Sequence, residues 1–149
     1  MVKQPEIKRT AAILSVSPLD ADHLSLESII GDSSVTLLTA HDLASARVLL
    51  QEHDVAAIVC ERDLSPGTWM YMLEDIQAMP NPPSLIVASR LADERMWVET
   101  LNLGAWDLVA KPFDSSEVIR TIKSGSQRWN DQDAPQITRI EHERAATAA

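Results

Sequence analysis

Apolar runs alternate with segments of helical periodicity along the whole chain, and this pattern predicts five strand–helix pairs. The third run, DVAAIVCERD at 54–63, has no polar break between Val55 and Cys60. A run of this kind is typical of a strand that helices cover on both faces of a parallel sheet. The predicted strands cover residues 10–16, 34–39, 55–60, 84–89 and 106–110.

Capping residues and helix breakers delimit the segments between these strands. Ser17 and Thr68 are candidate N-caps, and Gly31 and Gly104 are placed to end the first and fourth helices. The predicted helices cover residues 18–30, 42–52, 68–79, 92–103 and 115–128. Because each strand is followed by a helix, we expect right-handed crossovers and helices on both faces of one parallel sheet.

Composition narrows the function classes. With 149 residues, 45% apolar and 23% charged, the chain has the composition of one soluble globular domain. Its net charge of -9 argues against binding to nucleic acid or to an anionic membrane. No apolar stretch near the start has the length of a signal peptide or a membrane span, so we expect a cytoplasmic protein.

We divide the chain into an N-terminal extension at 1–7, a folded domain at 8–128 and a C-terminal tail at 129–149. The tail has mixed charge, and its only apolar periodicity is at Ile137 and Ile140. We therefore predict that it is mostly disordered. Cys60, the only cysteine, lies inside an apolar run and is predicted to be a buried hydrophobe rather than a ligand.

The carboxyl edge of the predicted sheet carries the candidate site, because ligands of open α/β sheets bind there. Glu61 and Asp63 follow the third strand directly. The turn after the first strand, SPLD at 17–20, has no glycine, and Pro18 lacks an N–H donor. A nucleotide or flavin phosphate needs a cradle of backbone N–H groups at this turn, so we do not expect either ligand.

Three segments carry a resemblance to a known family. They are the strand and turn at 54–64, the loop SRLADE at 89–94 and the ending LNLGAWDLVAKPF at 101–113. Over residues 8–128 the chain resembles the receiver domain of two-component response regulators, which are CheY-like proteins. The resemblance implies a flavodoxin-like (βα)5 fold, an α/β three-layer sandwich with strand order 2-1-3-4-5. It also implies a role in phosphorelay signal transduction, with a histidine kinase or an output protein as partner.

The chain departs from the family at the phosphorylation site. The family places two carboxylates after the first strand to hold Mg²⁺, and Ser17 and Pro18 occupy these positions here. Glu61 occupies the position of the phospho-acceptor aspartate, and Lys111 matches the family's lysine. The other matched positions hold Ala88, followed by Ser89, where the family has a hydroxyl residue, and Leu108 where it has an aromatic residue.

Phosphoryl transfer to a carboxylate depends on a metal ion, so the loss of the acidic pair changes the expected function. We predict an atypical receiver that is not an enzyme, has no cofactor and acts through protein–protein interaction. Glu61 is either a built-in mimic of a phosphate or a rim carboxylate in a structural salt bridge. Both hypotheses require contact between Glu61 and Lys111.

The sequence also allows two alternative functions. In the first, the chain is a phosphorylatable regulator that uses Mg²⁺ and accepts a phosphoryl group at Asp63 or Glu61, with Asp20 as a metal ligand. Otherwise Asp20 and Asp22 are expected in the first turn of the first helix, where they favour its dipole. In the second alternative the fold binds a small ligand, for which the sequence gives no positive sign.

Large aromatic side chains mark a candidate interaction face. Trp97 and Trp106 fall on the side of the fourth helix and the fifth strand, and exposed aromatics are enriched at interface centres. Receivers commonly use this side, so the resemblance implies a homodimer or a partner on the face formed by helix 4, strand 5 and helix 5. The alternative is that both rings are partly buried. The four histidines have no ligand spacing, and we expect all of them to be exposed or half-buried.

Overall fold

The computed structural model describes residues 11–31 and 34–132. Five strands alternate with five helices in the predicted order. They are β1 (Ala12–Val16), α1 (Asp20–Ile30), β2 (Leu37–Ala40), α2 (Leu43–Glu52), β3 (Val55–Glu61), α3 (Trp69–Gln77), β4 (Ser84–Ser89), α4 (Glu94–Leu103), β5 (Asp107–Ala110) and α5 (Ser115–Gln132).

The strands form a single five-stranded sheet in the order β2-β1-β3-β4-β5, and all pairs are parallel. The prediction of a flavodoxin-like α/β fold is therefore confirmed. β3 lies at the centre and is longer than predicted by one residue, because Glu61 still pairs with Ala88 of β4. This register brings the carboxyl ends of β1, β3 and β4 to one edge of the sheet.

Alternate residues of each strand point to opposite faces of the sheet and build two separate cores. On one face, Leu14, Ile58 and Val87 pack with residues of α2, α3 and α4. On the other face, Val59 and Val109 pack with residues of α1 and α5. The result is a three-layer sandwich in which the central strands are buried on both faces.

The start of α1 differs from the prediction. No side chain caps this helix at Leu19, and the hydroxyl of Ser17 accepts a hydrogen bond from Leu19 N at 3.1 Å without capping the helix. Thr68, in contrast, caps α3 as predicted, by accepting from Met70 N at 3.3 Å. The prediction for Ser17 was wrong because its hydroxyl belongs to a buried side-chain network at the carboxyl edge.

The last helix continues beyond residue 128, where we placed the end of the domain, and reaches Gln132. Trp129 is buried, and its indole N–H donates to Asn81 O at 3.2 Å. Residues 129–132 therefore belong to the folded domain. The predicted extension at 1–7 and the rest of the predicted tail lie outside the described residues. Within 11–31 and 34–132, none of the helices combines the length and the apolar character that a membrane span requires.

Candidate functional site

Four segments meet at the carboxyl edge of the sheet and bring charged side chains together. Glu61 is the last residue of β3, and Lys111 follows β5, where its N–H donates to Ser89 O at 3.0 Å. Asp22 reaches the same place from the first turn of α1, and Ser17 from the end of β1. We call Lys111, Asp22, Glu61 and Ser17 the Lys111 cluster.

The ammonium of Lys111 lies between two carboxylates. Its Nζ is 2.7 Å from Asp22 Oδ2 and 3.1 Å from Glu61 Oε1. The side chains of Lys111, Asp22 and Glu61 are only 4%, 11% and 13% exposed. An ammonium removed from water needs such partners, because the cost of desolvating it is several kcal/mol. The Glu61–Lys111 contact is the one that both hypotheses about Glu61 require.

Ser17 holds Asp22 in this position. Its hydroxyl donates to Asp22 Oδ2 at 2.6 Å, so this oxygen receives hydrogen bonds from both Ser17 and Lys111. Glu61 is fixed in a similar way, because its second oxygen, Oε2, accepts from Arg62 N at 2.7 Å. Pro18 is exposed and has no side-chain oxygen. Each carboxylate of the cluster is therefore held by Lys111 and by one further donor.

Asp22 is the site residue that sequence reasoning missed. It lies in the first turn of α1, as predicted, but it is buried instead of exposed to solvent. The spacing of Asp22, Leu26 and Ile30 contains the missing signal, since residues at i, i+4 and i+8 share one helix face. Leu26 and Ile30 face the core, and Asp22 extends the same face to the edge of the sheet.

His23 is buried, which corrects the expectation that all four histidines are exposed or half-buried. Its Nε2 lies 2.9 Å from Ser17 O, and its Nδ1 lies 2.8 Å from Ser15 Oγ. A carbonyl oxygen only accepts, so Nε2 carries a proton and donates to Ser17 O. His23 thus fixes the backbone of the residue whose side chain holds Asp22. His41, in contrast, is exposed and contacts Asp20 Oδ1 at 2.6 Å.

The two candidates for an alternative site, Asp20 and Asp63, lie apart from Lys111. Asp20 is 82% exposed on its side chain and contacts His41 at the surface. Asp63 is 72% exposed and lies beyond the end of β3, where it forms an isolated bridge with Thr68. Neither carboxylate is among the partners of the Lys111 ammonium.

The remaining positions matched to the family are buried. Ala88 pairs with Glu61 in the sheet, and Leu108 packs in the core on the side of α3. The hydroxyl of Ser89 accepts from Leu91 N at 3.0 Å and thereby fastens the β4–α4 loop. Burial, with a smaller effect from the charge of Glu61, raises the pKa of the Cys60 thiol. Cys60 therefore remains a protonated thiol in the core.

No three side chains from Asp, Glu, His or Cys are arranged to hold a metal ion in the part of the chain that the structure describes. In the Lys111 cluster, the Lys111 ammonium lies within hydrogen-bonding distance of both carboxylates. The Lys111 cluster is an ion-pair network of one ammonium and two carboxylates at the carboxyl edge of the sheet.

The two predicted interface tryptophans have different environments. Trp97 on α4 is 46% exposed, and its indole N–H donates to Asp107 Oδ1 at 3.1 Å. Trp106 is half-buried against α5, where it donates to Ser124 Oγ at 3.1 Å and lies 5.5 Å from the Arg128 guanidinium. Partial burial therefore describes Trp106, while much of the Trp97 ring is open to a partner.

The fold is flavodoxin-like, and a lysine lies between two carboxylates at the carboxyl edge of the sheet. The sequence model of the response regulator receiver domain matches residues 22–123, which is more than half of the chain. The chain therefore belongs to the receiver domain family of two-component response regulators. No curated protein matches the sequence.

Solved structures of receiver domains are similar in fold. The signal receiver domain of an HD domain-containing protein from Pseudomonas fluorescens Pf-5 is 19% identical, with a TM-score of 0.76 over 89% of this chain and 97% of that chain. The chemotaxis response regulator CheY4 of Vibrio cholerae is 15% identical, with a TM-score of 0.69 over 77% and 98% of the two chains. The beryllofluoride-activated NtrC4 receiver domain dimer is 21% identical, with a TM-score of 0.72 over 79% and 98%. At these low sequence identities, the similarity to the solved structures shows only that the fold is shared.

Proposed function

We propose that this chain is an atypical receiver module whose phosphorylation-site position is filled by a fixed ion-pair network. In this proposal the module is not switched by Mg²⁺-dependent phosphorylation and acts through protein–protein interaction. The observation that carries the proposal is the buried ammonium of Lys111, bound at once by Asp22 and Glu61.

The chemistry of the donor set supports this function. Mg²⁺ requires near-octahedral coordination by oxygen atoms and is usually held by carboxylates. At the two family positions, Pro18 offers no side-chain oxygen, and the hydroxyl of Ser17 already donates to Asp22. A Mg²⁺ ion that used the Asp22 and Glu61 carboxylates would first have to displace Lys111 from both. The residues present therefore do not fit the family's metal ion, and we derive no phosphoryl-transfer step through one.

Glu61 has a specific role in the proposal. Its side chain is one methylene longer than that of aspartate, and it carries a negative charge to Lys111 without any phosphoryl group. The same side chain is fixed by Arg62 N, which donates to its other oxygen at 2.7 Å. Glu61 therefore keeps the Lys111 ammonium neutralised in one arrangement, and the module is set permanently in one state.

The alternative function is that of a phosphorylatable regulator, and one observation favours it. The carboxylate of Asp63 is 72% exposed and is accessible to a phosphoryl donor. The test is incubation with acetyl phosphate and Mg²⁺, followed by intact mass spectrometry, with a phosphorylatable receiver domain as the positive control. We expect no phosphoryl adduct on this chain. An adduct that is lost in Asp63→Asn or Glu61→Gln would establish the alternative and overturn our proposal.

The proposed partner surface is the α4–β5–α5 face, defined here by Trp97, Val98, Asp107 and Trp106. Trp97 and Val98 are exposed, although large apolar side chains at a free surface lose the favourable free energy of burial. The NtrC4 receiver domain, which is similar in fold, was solved as a dimer. We propose that a second copy or an output protein covers this face and that Trp97 is its central contact.

A further inference from the structure

An open groove of about 480 Å³ lies at the amino edge of the sheet, opposite the Lys111 cluster. The end of α2, the start of β3, the segment before β4 and Trp129 of α5 line it. We call it the amino-edge groove. Glu52 and Asp54 form its acidic side, and no lysine or arginine is among its lining residues. The groove therefore has a negative potential and favours a cationic occupant.

The path of the chain points to one occupant. The N–H of Ala12 donates to Asp54 O at 2.8 Å, and Ala12 pairs with Val55. Ala12, the first residue of β1, therefore lies beside the acidic side of the groove, and residues 1–10 precede it closely in the chain. Ten extended residues span about 33 Å, a length sufficient to cross a groove of this size.

The charges of this segment are complementary to those of the groove. Residues 1–10 contain three cations, Lys3, Lys8 and Arg9, and one anion, Glu6, which gives a net charge of +2 within a chain whose total is -9. Residues 133–149, which follow α5 in the chain, carry a net charge of -1. We propose that residues 1–10 dock in the amino-edge groove, with their cations facing its acidic side.

Paramagnetic labelling of the full chain tests this docking. A nitroxide on Gln4→Cys reports the position of the segment, and the protonated, buried Cys60 thiol does not react with the label. We expect loss of amide signal intensity for residues 51–54 and 79–82 and for the indole N–H of Trp129, with residues near Lys111 unaffected. The matched control carries the label on Ala145→Cys and is expected to leave the groove unaffected. Intact groove signals with the first label, or a selective loss with the second, would overturn the proposal.

Charge reversal gives the second arm of the test. Lys8→Glu with Arg9→Glu is expected to abolish the intensity loss, and 1 M NaCl is expected to weaken it, because exposed charges are screened at high salt. Adding Glu52→Lys to the variant with Lys8→Glu and Arg9→Glu is expected to restore part of the intensity loss, because the charges of the segment and the groove are again opposite. If the loss of signal intensity disappears on dilution, residues 1–10 of another copy of the chain fill the groove. That outcome, or insensitivity to charge reversal, contradicts the proposal.

Discussion

At the scale of single residues, Lys111 is the group on which the site depends. Its ammonium is almost completely buried, and its charge is tolerated only because Asp22 and Glu61 are both within 3.1 Å. Ser17 and His23 support this contact indirectly, because Ser17 donates a hydrogen bond to Asp22 and His23 donates one to the backbone oxygen of Ser17. Removal of Lys111 would leave two adjacent carboxylates without their counter-charge.

We expect Lys111→Met to lower the free energy of unfolding by about 3 kcal/mol, because it breaks a buried ion pair from one side. Urea denaturation at neutral pH measures the change, with Lys123→Met as the control at an exposed position of α5. The control is expected to lie within about 0.5 kcal/mol of the natural chain. Equal stabilities for the two variants would show that the Lys111 cluster contributes no net stability.

The residue scale is also where the sequence was least informative. Glu61 and Lys111 were found because each lies at the end of an apolar run or within a recognisable turn. Asp22 was missed because a carboxylate in a first helical turn is ordinarily exposed, and only its helix face relates it to Leu26 and Ile30. His23 was missed because no spacing along the chain indicates its hydrogen bonds to Ser15 and Ser17.

At the scale of elements, the helices are held by capping groups and by close contacts with the sheet. Asp42 caps α2 by accepting from Ser45 N at 2.8 Å. The backbone hydrogen bond from Ser45 lowers the pKa of Asp42 below its usual 3.8. A lowered pKa in the folded state means that ionised Asp42 stabilises the fold above its unfolded pKa, and that this contribution is lost as the pH falls through the folded pKa.

We therefore expect Asp42→Asn to remove part of the acid dependence of stability. Asparagine keeps the capping hydrogen bond but does not titrate, so the stability of the variant should fall less than that of the natural chain between about pH 5 and pH 2. Urea denaturation across this range measures the difference. Glu74→Gln, which removes a carboxylate from an exposed position of α3, is the control. Parallel profiles for the natural chain and Asp42→Asn would contradict the assignment.

Gly125 permits the close approach of α5 to the sheet. A Cβ atom at this position would lie 3.0 Å from Ser84 Cβ and 3.2 Å from Trp106 Cδ1. We expect Gly125→Leu to destabilise the fold by about 1–3 kcal/mol through overpacking, despite the better helix propensity of leucine. Thermal unfolding measures the effect, with Gln127→Leu as the control at an exposed position of the same helix. A Gly125→Leu variant as stable as its control would contradict this packing.

Elements were more predictable than the site. Buried strands have an unambiguous apolar signal, and the periods of two and 3.6 residues alternate clearly along the chain. The boundaries were less certain where a residue serves the site or the core. The start of α1 was wrong because Ser17 is part of the Lys111 cluster, and Trp129 was assigned to the tail because the contacts that bury it come from Asn81, which is distant in sequence.

At the scale of the whole molecule, the proposal requires a partner surface, and the α4–β5–α5 face is the candidate. We expect concentration-dependent dimerisation in sedimentation equilibrium, and we expect Trp97→Ala to weaken it about ten-fold or more, because large aromatics are typical interface hot spots. Tyr71→Ala is the control, since Tyr71 is also exposed but lies on α3. A monomer at all concentrations, or equal dimerisation of the two variants, would exclude this face as a homodimer contact.

The most direct test of the central claim is a Mg²⁺ titration, with and without beryllofluoride, followed by the amide NMR shifts of the natural chain. A triple variant, Ser17→Asp with Pro18→Asp and Glu61→Asp, restores the family's carboxylates and is the comparison. If the Lys111 cluster fills the site, the natural chain shows no saturable shifts at millimolar Mg²⁺. Saturable shifts of the natural chain at Glu61, Asp63 and Lys111 would contradict the account and make it a working phospho-acceptor with an unusual metal site.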